Sequence, residues 1–449
     1  MSRNTLEQGK PRIGWMIDGD PQTPEVAVML ELTEDAIHLT IPTKGMFGPD
    51  DPYARWFSNG THYGDDPDKT KYRYSPPKNL LFYDHLGPVV LVGCWAGASS
   101  SSSNGAGFGR VSAEYAAVGQ HDRNLDQING IRAEMPALNA WTGISSRSSK
   151  VTFDAKQRTR ILTVEMSSPA TTRLSRTKNF TLAPTWRTSA PESDTHATHD
   201  VVQLVTETRR GDDWEAHLAP HRAVQDLISL SAWRQLGFSR IEVGKMEPVH
   251  PRRREAVGAS EEIRWSELIT HRLRKHTPWK TDPRFLFRYD DIGAAGVARW
   301  LRLRVKYERA MLPLASVIGQ HGMFVEAAVL QTGIAVEALG YQLASEAVPS
   351  GLNTRGQISY NDAMDRVVSE LSFVPVADVE VWKSRSRRSY MGVKHADQPT
   401  PDMLTLANAY RENALVLRYW IAGRLGCKAS TLEARLAGDP LGFEYEPVS

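Results

Sequence analysis

The sequence predicts an α+β multidomain chain. Its N-terminal domain, residues 1–290, reads as β-rich and sandwich-like, and residues 291–449 read as an all-helical bundle. Two observations carry that expectation. Up to about Phe180 the apolar residues fall in strand-length runs separated by Gly, Pro, Asp and Asn, whereas from Ile292 onward they recur at spacings of three and four. A third observation bounds it: 449 residues, 41% hydrophobic and 24% charged, are ordinary globular composition with room for more than one core.

The strand-length runs are Val26–Leu32, Ala36–Ile41, Val89–Val92, Ala113–Val118 and Arg160–Glu165, with a further strand at Val201–Glu207. An antiparallel sandwich or open barrel is the natural packing for them. Ala223–Gly237 has helical spacing through Val224, Leu227, Ile228, Leu230 and Trp233. The Ser/Gly segment Ala98–Gly109 and the polar stretch Ser189–Asp200 read as loops, and the charge-dense residues Pro251–Lys280 read equally as a helix or a solvated connector. Beyond a boundary near Tyr289-Asp-Asp-Ile292, five helical segments follow. They are Ala294–Leu314, Met323–Ala344, Asn361–Leu371 with Asn361 as N-cap, Val376–His395 and Met403–Leu425. Short connections such as Gly351–Gly356 favour antiparallel neighbours.

Several function classes drop out on composition. Lys and Arg number 54 against 52 Asp and Glu, so the chain lacks the overall basic excess of a DNA-coating protein. Two cysteines, Cys94 and Cys427, make neither a disulfide framework nor a Cys-rich zinc site. Met1–Arg12 is polar, so no signal peptide is read, and the apolar stretch Met323–Leu343 is interrupted by Glu326, Gln331 and Glu337. The expected location is the cytoplasm, with no membrane partner.

Chemistry concentrates in Trp382–His395. This segment holds Lys383, Arg385, Arg387, Arg388 and Lys394 without an acidic residue among them, inside a helical region that is neutral overall. A solvated helix face is the plainer reading of such a run, and RNA the alternative partner. Arg388 and His395 stand seven residues apart. On an unbroken helix that spacing puts them on one face, about 10 Å apart along the axis. A guanidinium offers a planar fork for phosphate, and an imidazole exchanges protons near neutral pH. Together they supply the base, acid and cation that ribose-phosphate cleavage needs. One histidine cannot readily serve both sides of a phosphorus, so a dimer is the economical arrangement.

A C-terminal helical bundle with an Arg-x4-6-His motif late in it resembles a HEPN domain, a family rich in metal-independent ribonucleases. The N-terminal segments Pro11-Arg-Ile-Gly-Trp15, Leu81-Phe-Tyr-Asp-His-Leu-Gly87 with Val90-Leu-Val-Gly93, Tyr115-Ala-Ala-Val-Gly119 and Phe287-Arg-Tyr-Asp-Asp-Ile292 with Trp300 resemble those of ApeA-like antiphage proteins. The resemblance implies a sensor or regulatory domain over 1–290 and a HEPN nuclease over 291–449. It implies an abortive-infection effector, an endoribonuclease acting on RNA (tRNA among the candidates), working as a homodimer through the helical domain and set off by a phage-derived trigger at the N-terminal domain. Arg388 and His395 take the motif positions, with Ser389 where the family commonly has Asn or Asp, and Gly392 inside the motif. Glu337 is a candidate acidic helper. Lys383, Arg385, Arg387, Tyr390 and Lys394 are candidate RNA contacts. No metal or cofactor is implied.

Other readings remain beside this one. A non-catalytic HEPN scaffold would use the basic helix to bind RNA or a protein, and a β-domain that holds a carbohydrate or small ligand would leave the helices to dimerise. Gly105-Ala-Gly-Phe-Gly109 lacks the rest of a phosphate-loop pattern. His217-Leu-Ala-Pro-His221 has metal-like spacing, but Pro220 disfavours the helix that would align it. His196 and His199 read as incidental, and Trp95, Trp141 and Trp214 as packing residues.

Overall fold

A computed structural model describes residues 4–21, 23, 25–44, 53–57, 76–102, 106–192, 195–248, 261–320 and 322–447. Strands β1 (Arg12–Ile17), β2 (Val26–Leu32), β3 (Ile37–Lys44), β4 (Asn79–Asp84), β5 (Gly87–Val92), β6 (Trp95–Ser101), β7 (Ala106–Ala113), β8 (Tyr115–Val118) and β9 (Ile128–Glu134) come first. Helix α1 (Pro136–Thr142), β10 (Arg147–Phe153), β11 (Thr159–Met166), β12 (Thr172–Ser175), β13 (Phe180–Glu192), β14 (Thr195–Asp212), α2 (Trp214–Ala232), β15 (Arg240–Pro248) and β16 (Glu261–Thr270) follow. The chain then turns helical in α3 (Tyr289–Lys306), α4 (Glu308–Gly319), α5 (Val325–Glu346), α6 (Tyr360–Ser369), α7 (Val379–Lys394), α8 (Met403–Leu425) and α9 (Ala429–Leu436). The α+β layout expected from the sequence is the one observed, as a large antiparallel sheet domain followed by helices.

Contacts divide the chain into two compact units whose pieces interleave along it. The first comprises Met1–Glu134, Val205–Leu218 and Phe238–Lys275; the second comprises Met135–Leu204, Ala219–Gly237 and His276–Ser449.

In the first unit the strand order is β14-β9-β15-β16-β8-β5-β4-β1-β2-β3-β7-β6. Period-two alternation sets its register. Along β1, Arg12, Gly14 and Met16 point inward while Ile13 and Trp15 stay exposed, with Ile13 opposite Met29 of β2. Leu30, Ile37, Leu39, Leu80, Phe82, Val89 and Ala116 form the buried face. The Ser/Gly segment read as a loop is instead strand: β6 is the edge strand, paired to β7, and residues 103–105 of that segment lie outside the described residues. Ala113–Val118, read as one strand, is two, because Glu114 separates β7 from β8. Of Pro251–Lys280, residues 251–260 lie outside the described residues, and β16 follows them as strand.

In the second unit β12, β13 and the first half of β14 pair in that order, and among the described residues β10 pairs only with β11. The stretch Ser189–Asp200 is therefore strand rather than loop, apart from residues 193–194, which are outside the described residues. Ser189 Oγ lies 3.0 Å from His199 Nε2 across that pair.

Helix α8 is the axis of the helical part, buried nearly throughout from Leu406 to Leu425 and ended by Gly426 in the left-handed conformation. Its buried Arg418 donates to Leu230 O (2.7 Å), Ser231 O (3.0 Å) and Asp439 (2.7 Å). Ala294–Leu314, expected as one helix, breaks at Tyr307 between α3 and α4. The N-cap of α6 is Ser359 and not Asn361, since the Ser359 hydroxyl accepts the Asp362 N–H.

Candidate functional site

Helix α7 starts at Asp378, whose carboxylate accepts the N–H groups of Glu380 and Val381, and its last helical residue is Lys394. Its inner face enters a buried polar network. Trp382 Nε1 and Ser386 Oγ both donate to Asn413 Oδ1 of α8, at 2.9 and 2.8 Å. Tyr360 OH lies 2.9 Å from Ser386 Oγ, and its ring stacks on Tyr390 with centroids 4.9 Å apart. These bonds fix the rotation of α7 about its own axis.

That rotation turns Arg387, Arg388 and Met391 outward. With His395, Asn361 and Gln398 they line a groove of about 740 Å³. Arg388 and His395 are both exposed and face the same groove. His395 is not on the helix, as an unbroken helix would require. It is the C-cap, with extended backbone at φ −120° and ψ 120°. Among the described residues, the side chains of Arg387, Arg388 and His395 have no hydrogen-bond or ion-pair partner. The groove also holds Lys383 and two carboxylates, Glu380 and Asp397.

Gly392, inside the Arg-x6-His motif, is a packing point. α7 runs through it, and the returning chain packs on it so tightly that a Cβ would lie 2.5 Å from Pro399 O. Thr400 Oγ1 donates to Gly392 O at 3.3 Å. The His395–Pro401 turn is thereby held against the end of α7, with the imidazole at the groove. Sequence reasoning missed this contact, although the Pro399-Thr-Pro401 segment seven residues beyond a glycine was its visible signal.

The remaining candidates are placed differently from the expectation. Tyr390 is buried, so its ring meets no nucleic acid, and its hydroxyl donates to Glu337 Oε2 at 2.8 Å. Burial, with that hydrogen bond second, pushes the phenol pKa up. Lys394 sits over the Tyr390 ring, 4.8 Å from its centroid, with Nζ 3.9 Å from Glu337. Glu337 thus binds the Tyr390–Lys394 side of α7 and lines a separate cavity of about 700 Å³ with Lys306, Arg309 and Tyr341. It does not line the groove of Arg388 and His395 as a helper would. Arg385 is tied to Glu412 (2.8 Å) and Glu444 (2.7 Å), which removes it as a free RNA contact. Lys383 pairs with Asp365 (2.7 Å) and Glu380 (3.1 Å); the Asp365 bond, then the Glu380 bond, raise its pKa. The cationic run is therefore compensated at Lys383 and Arg385 by acids, most of them distant in sequence, and open at Arg387 and Arg388.

His217 and His221 do lie on one helix, because α2 continues through Pro220. Both are buried. His217 Nδ1 lies 3.1 Å from Thr206 Oγ1, and His221 Nε2 lies 3.3 Å from Leu204 O. Among the described residues, no group of three or more His, Cys, Asp or Glu is placed to hold a metal ion. The two cysteines are free thiols, and burial pushes Cys94 up to about 12 and Cys427 up to about 11. Trp141 and Trp214 are buried as expected, while Trp95 is exposed. No helix among the described residues is long and apolar enough to cross a membrane.

The N-terminal motifs do structural work. Arg12 of the Pro11–Trp15 segment donates twice to Asp84 of the Leu81–Gly87 segment, at 2.6 and 2.9 Å, and once to Gly87 O at 2.9 Å. Gly14 admits Tyr83 O, which a Cβ would meet at 2.3 Å. In the last motif, Phe287 O accepts from Trp141 Nε1 (2.9 Å) and Ser231 Oγ (2.6 Å), Asp291 pairs with Arg435 (2.6 Å), and Trp300 Nε1 donates to Ala223 O (2.6 Å). Each motif thus joins segments far apart in sequence. Neither a curated protein nor a solved structure matches the chain. The family model of the ApeA N-terminal domain 1 matches residues 11–302, the span that holds all these motifs and runs into α3. On that match over well more than half its length, the chain belongs to the ApeA family of antiphage defence proteins.

Proposed function

We propose that this ApeA family member is an antiphage effector whose helical part is a HEPN-type endoribonuclease. The observation that carries the reading is the convergence of two exposed, unpaired groups, Arg388 and His395, on one groove that also holds Arg387. A guanidinium with no protein carboxylate on it is available to a phosphate, and a solvent-facing imidazole is available for proton transfer. In the reaction, the ribose 2′-oxygen attacks the adjacent phosphorus as His395 takes its proton. The P–O5′ bond breaks, leaving a 2′,3′-cyclic phosphate, and the departing 5′-oxygen receives a proton from His395 of a second copy. Arg388 binds the phosphate and stabilises the charge that builds on the phosphorane. All acid, base and electrostatic roles fall to protein side chains, so the reaction needs no metal. The β-rich domain is the sensor that releases or restrains this activity.

The direct test is cleavage of labelled cellular RNA and tRNA by the full-length protein in excess EDTA. His395→Ala is expected to lower the rate about 10²–10⁴-fold, the usual worth of a general acid–base group, while leaving the melting temperature unchanged. Arg388→Ala is expected to lower it by about 10²–10³-fold. Unchanged cleavage in His395→Ala sinks the assignment. RNA binding without any cleavage in the wild type favours the non-catalytic scaffold.

A further inference from the structure

The hairpin of β10 and β11 stands outside the sheets. Among the described residues the two strands pair with each other and with no other strand, from Arg147 opposite Met166 to Phe153 opposite Thr159. Its root is fastened, because Asp200 accepts from Ser145 Oγ (2.6 Å) and Ser146 N (2.9 Å). Its tip is ordered too: Asp154 accepts the N–H groups of Lys156 and Arg158, and Gln157 takes the left-handed conformation. Everything between root and tip is exposed, and an isolated two-stranded hairpin is marginal in water.

The register sorts its side chains into two faces. Val151, Phe153, Leu162 and Val164 share one face with Met166 at its base, and Phe153 and Leu162 are 54% and 60% exposed. Ser148, Lys150, Thr152, Thr163 and Glu165 share the other, with Ile161 its one large apolar side chain. Along Arg147–Met166 there are five Lys or Arg against two carboxylates. Among the described residues none of Arg147, Lys150, Lys156, Arg158 and Arg160 has an ion-pair partner. An apolar face, two open backbone edges and an unpaired cationic rim therefore coincide on one projecting arm.

We propose that this arm is a docking element for an acidic, extended segment of another protein. The segment adds as a third strand along a free edge of the hairpin, lays apolar side chains against Val151, Leu162 and Val164, and sets carboxylates among Arg147, Arg158 and Arg160. A second copy of this chain is a poorer occupant: two strands about 23 Å long and about 10 Å wide offer about 250 Å², far below the roughly 800 Å² per partner of a stable dimer. RNA would want stacking rings, and the exposed face is aliphatic but for Phe153. A membrane would want an apolar tip, and Asp154–Arg158 is polar.

The inference does not depend on the nuclease reading, and its test leaves the α7 groove untouched. Full-length protein is titrated, by fluorescence anisotropy, into a labelled synthetic peptide that alternates Val with Glu and Thr. The control is the same peptide with Pro at alternate positions, which cannot pair as a strand. Saturable binding of the first peptide alone is expected. The double variants Leu162→Glu/Val164→Glu and Lys156→Glu/Arg158→Glu are each expected to weaken it by at least about tenfold, with circular dichroism and melting unchanged. A chain in which residues 148–165 are replaced by Gly-Ser-Gly is expected to lose it. Equal binding of the proline peptide, indifference to both double variants, or a variant-sensitive preference for poly-U RNA or phosphatidylserine vesicles overturns the proposal.

Discussion

The two long faces of α7 are put to opposite uses, one bonded into the interior and one left open. On the inner face Trp382, Ser386, Ser389 and Tyr390 are buried, and Trp382, Ser386 and Tyr390 bond to α5, α6 and α8. On the outer face Arg387 and Arg388 enter the groove with no hydrogen-bond or ion-pair partner among the described residues. Lys383 and Arg385 stand between, each held by carboxylates. A run of cations is thus not a site. The site is what remains after Asp365, Glu412 and Glu444 have claimed their shares, and those acids lie on α6, α8 and the C-terminal segment.

Two arginines put that contrast to its hardest test. The side chain of Arg418 is 0% exposed and that of its partner Asp439 1%, and two backbone carbonyls depend on the same guanidinium. Arg418→Met strands the carboxylate in the interior and is expected to cost about 3–5 kcal/mol. Arg388→Met removes no hydrogen bond or ion pair among the described residues and is expected to change stability by no more than about 0.5 kcal/mol while impairing cleavage. Chemical denaturation of both variants reads the difference directly. Equal losses of stability would erase the distinction between structural and free cations.

A smaller effect belongs to the network under α7. Asn413→Leu leaves the Trp382 indole N–H and the Ser386 hydroxyl without their shared acceptor, and is expected to cost about 1–3 kcal/mol. Because that network sets the rotation that presents Arg388, cleavage is expected to fall in folded Asn413→Leu at temperatures well below its melting point. Normal cleavage there would show that α7 is oriented by apolar packing alone.

Which parts of this were legible beforehand follows from where the physics is local. α8 was readable to the residue because its period, Asp402 N-cap and Gly426 C-cap all lie within the segment itself. The break at Tyr307 was not, since the apolar spacing runs on across it from Leu303 to Met311. Nor was β6, an edge strand of exposed Ser and Gly whose order comes from pairing with β7 rather than from an alternating pattern. Pro220 misled because burial of α2 outweighs one lost helical hydrogen bond. At the groove, the spacing of seven pointed to Arg388 and His395 together, but not to the means, since His395 reaches the groove as the extended C-cap and not from a second helical turn. The diversion of Tyr390 and Glu337 was not legible, because their bond is tertiary.

The first unit offers the same contrast under pH. Burial raises the pKa of Asp84, but the Arg12 hydrogen bonds, the Leu86 and Gly87 N–H groups and the Arg12 charge outweigh it and leave the carboxyl below its usual value. A depressed folded pKa means that the unfolded chain binds the proton first. The stabilisation is then complete above the ordinary aspartate value of about 3.9, and is lost as pH falls from there through the depressed pKa. Asp84→Asn is expected to be less stable at neutral pH and to show a shallower acid limb in that window. An unchanged acid limb, measured by denaturation at stepped pH, would move the acid sensitivity to other carboxylates.

The smallest effect separates two neighbours at the start of α6, where the helix borders the groove. Ser359 accepts the Asp362 N–H at 3.1 Å and donates to the Asp362 carboxylate at 2.6 Å, so Ser359→Ala is expected to cost about 1 kcal/mol. Asn361 makes no cap and lines the groove, so Asn361→Ala is expected to stay within about 0.5 kcal/mol of the wild type. RNA affinity should divide the other way, with Asn361→Ala weaker and Ser359→Ala unchanged at a temperature where both are folded. The two residues are only two positions apart in the chain, with Tyr360 between them, so any difference between them reports which way each side chain faces. Should Ser359→Ala weaken RNA binding as much as Asn361→Ala does, the α6 wall of the groove acts through helix order and not through contact with the nucleic acid.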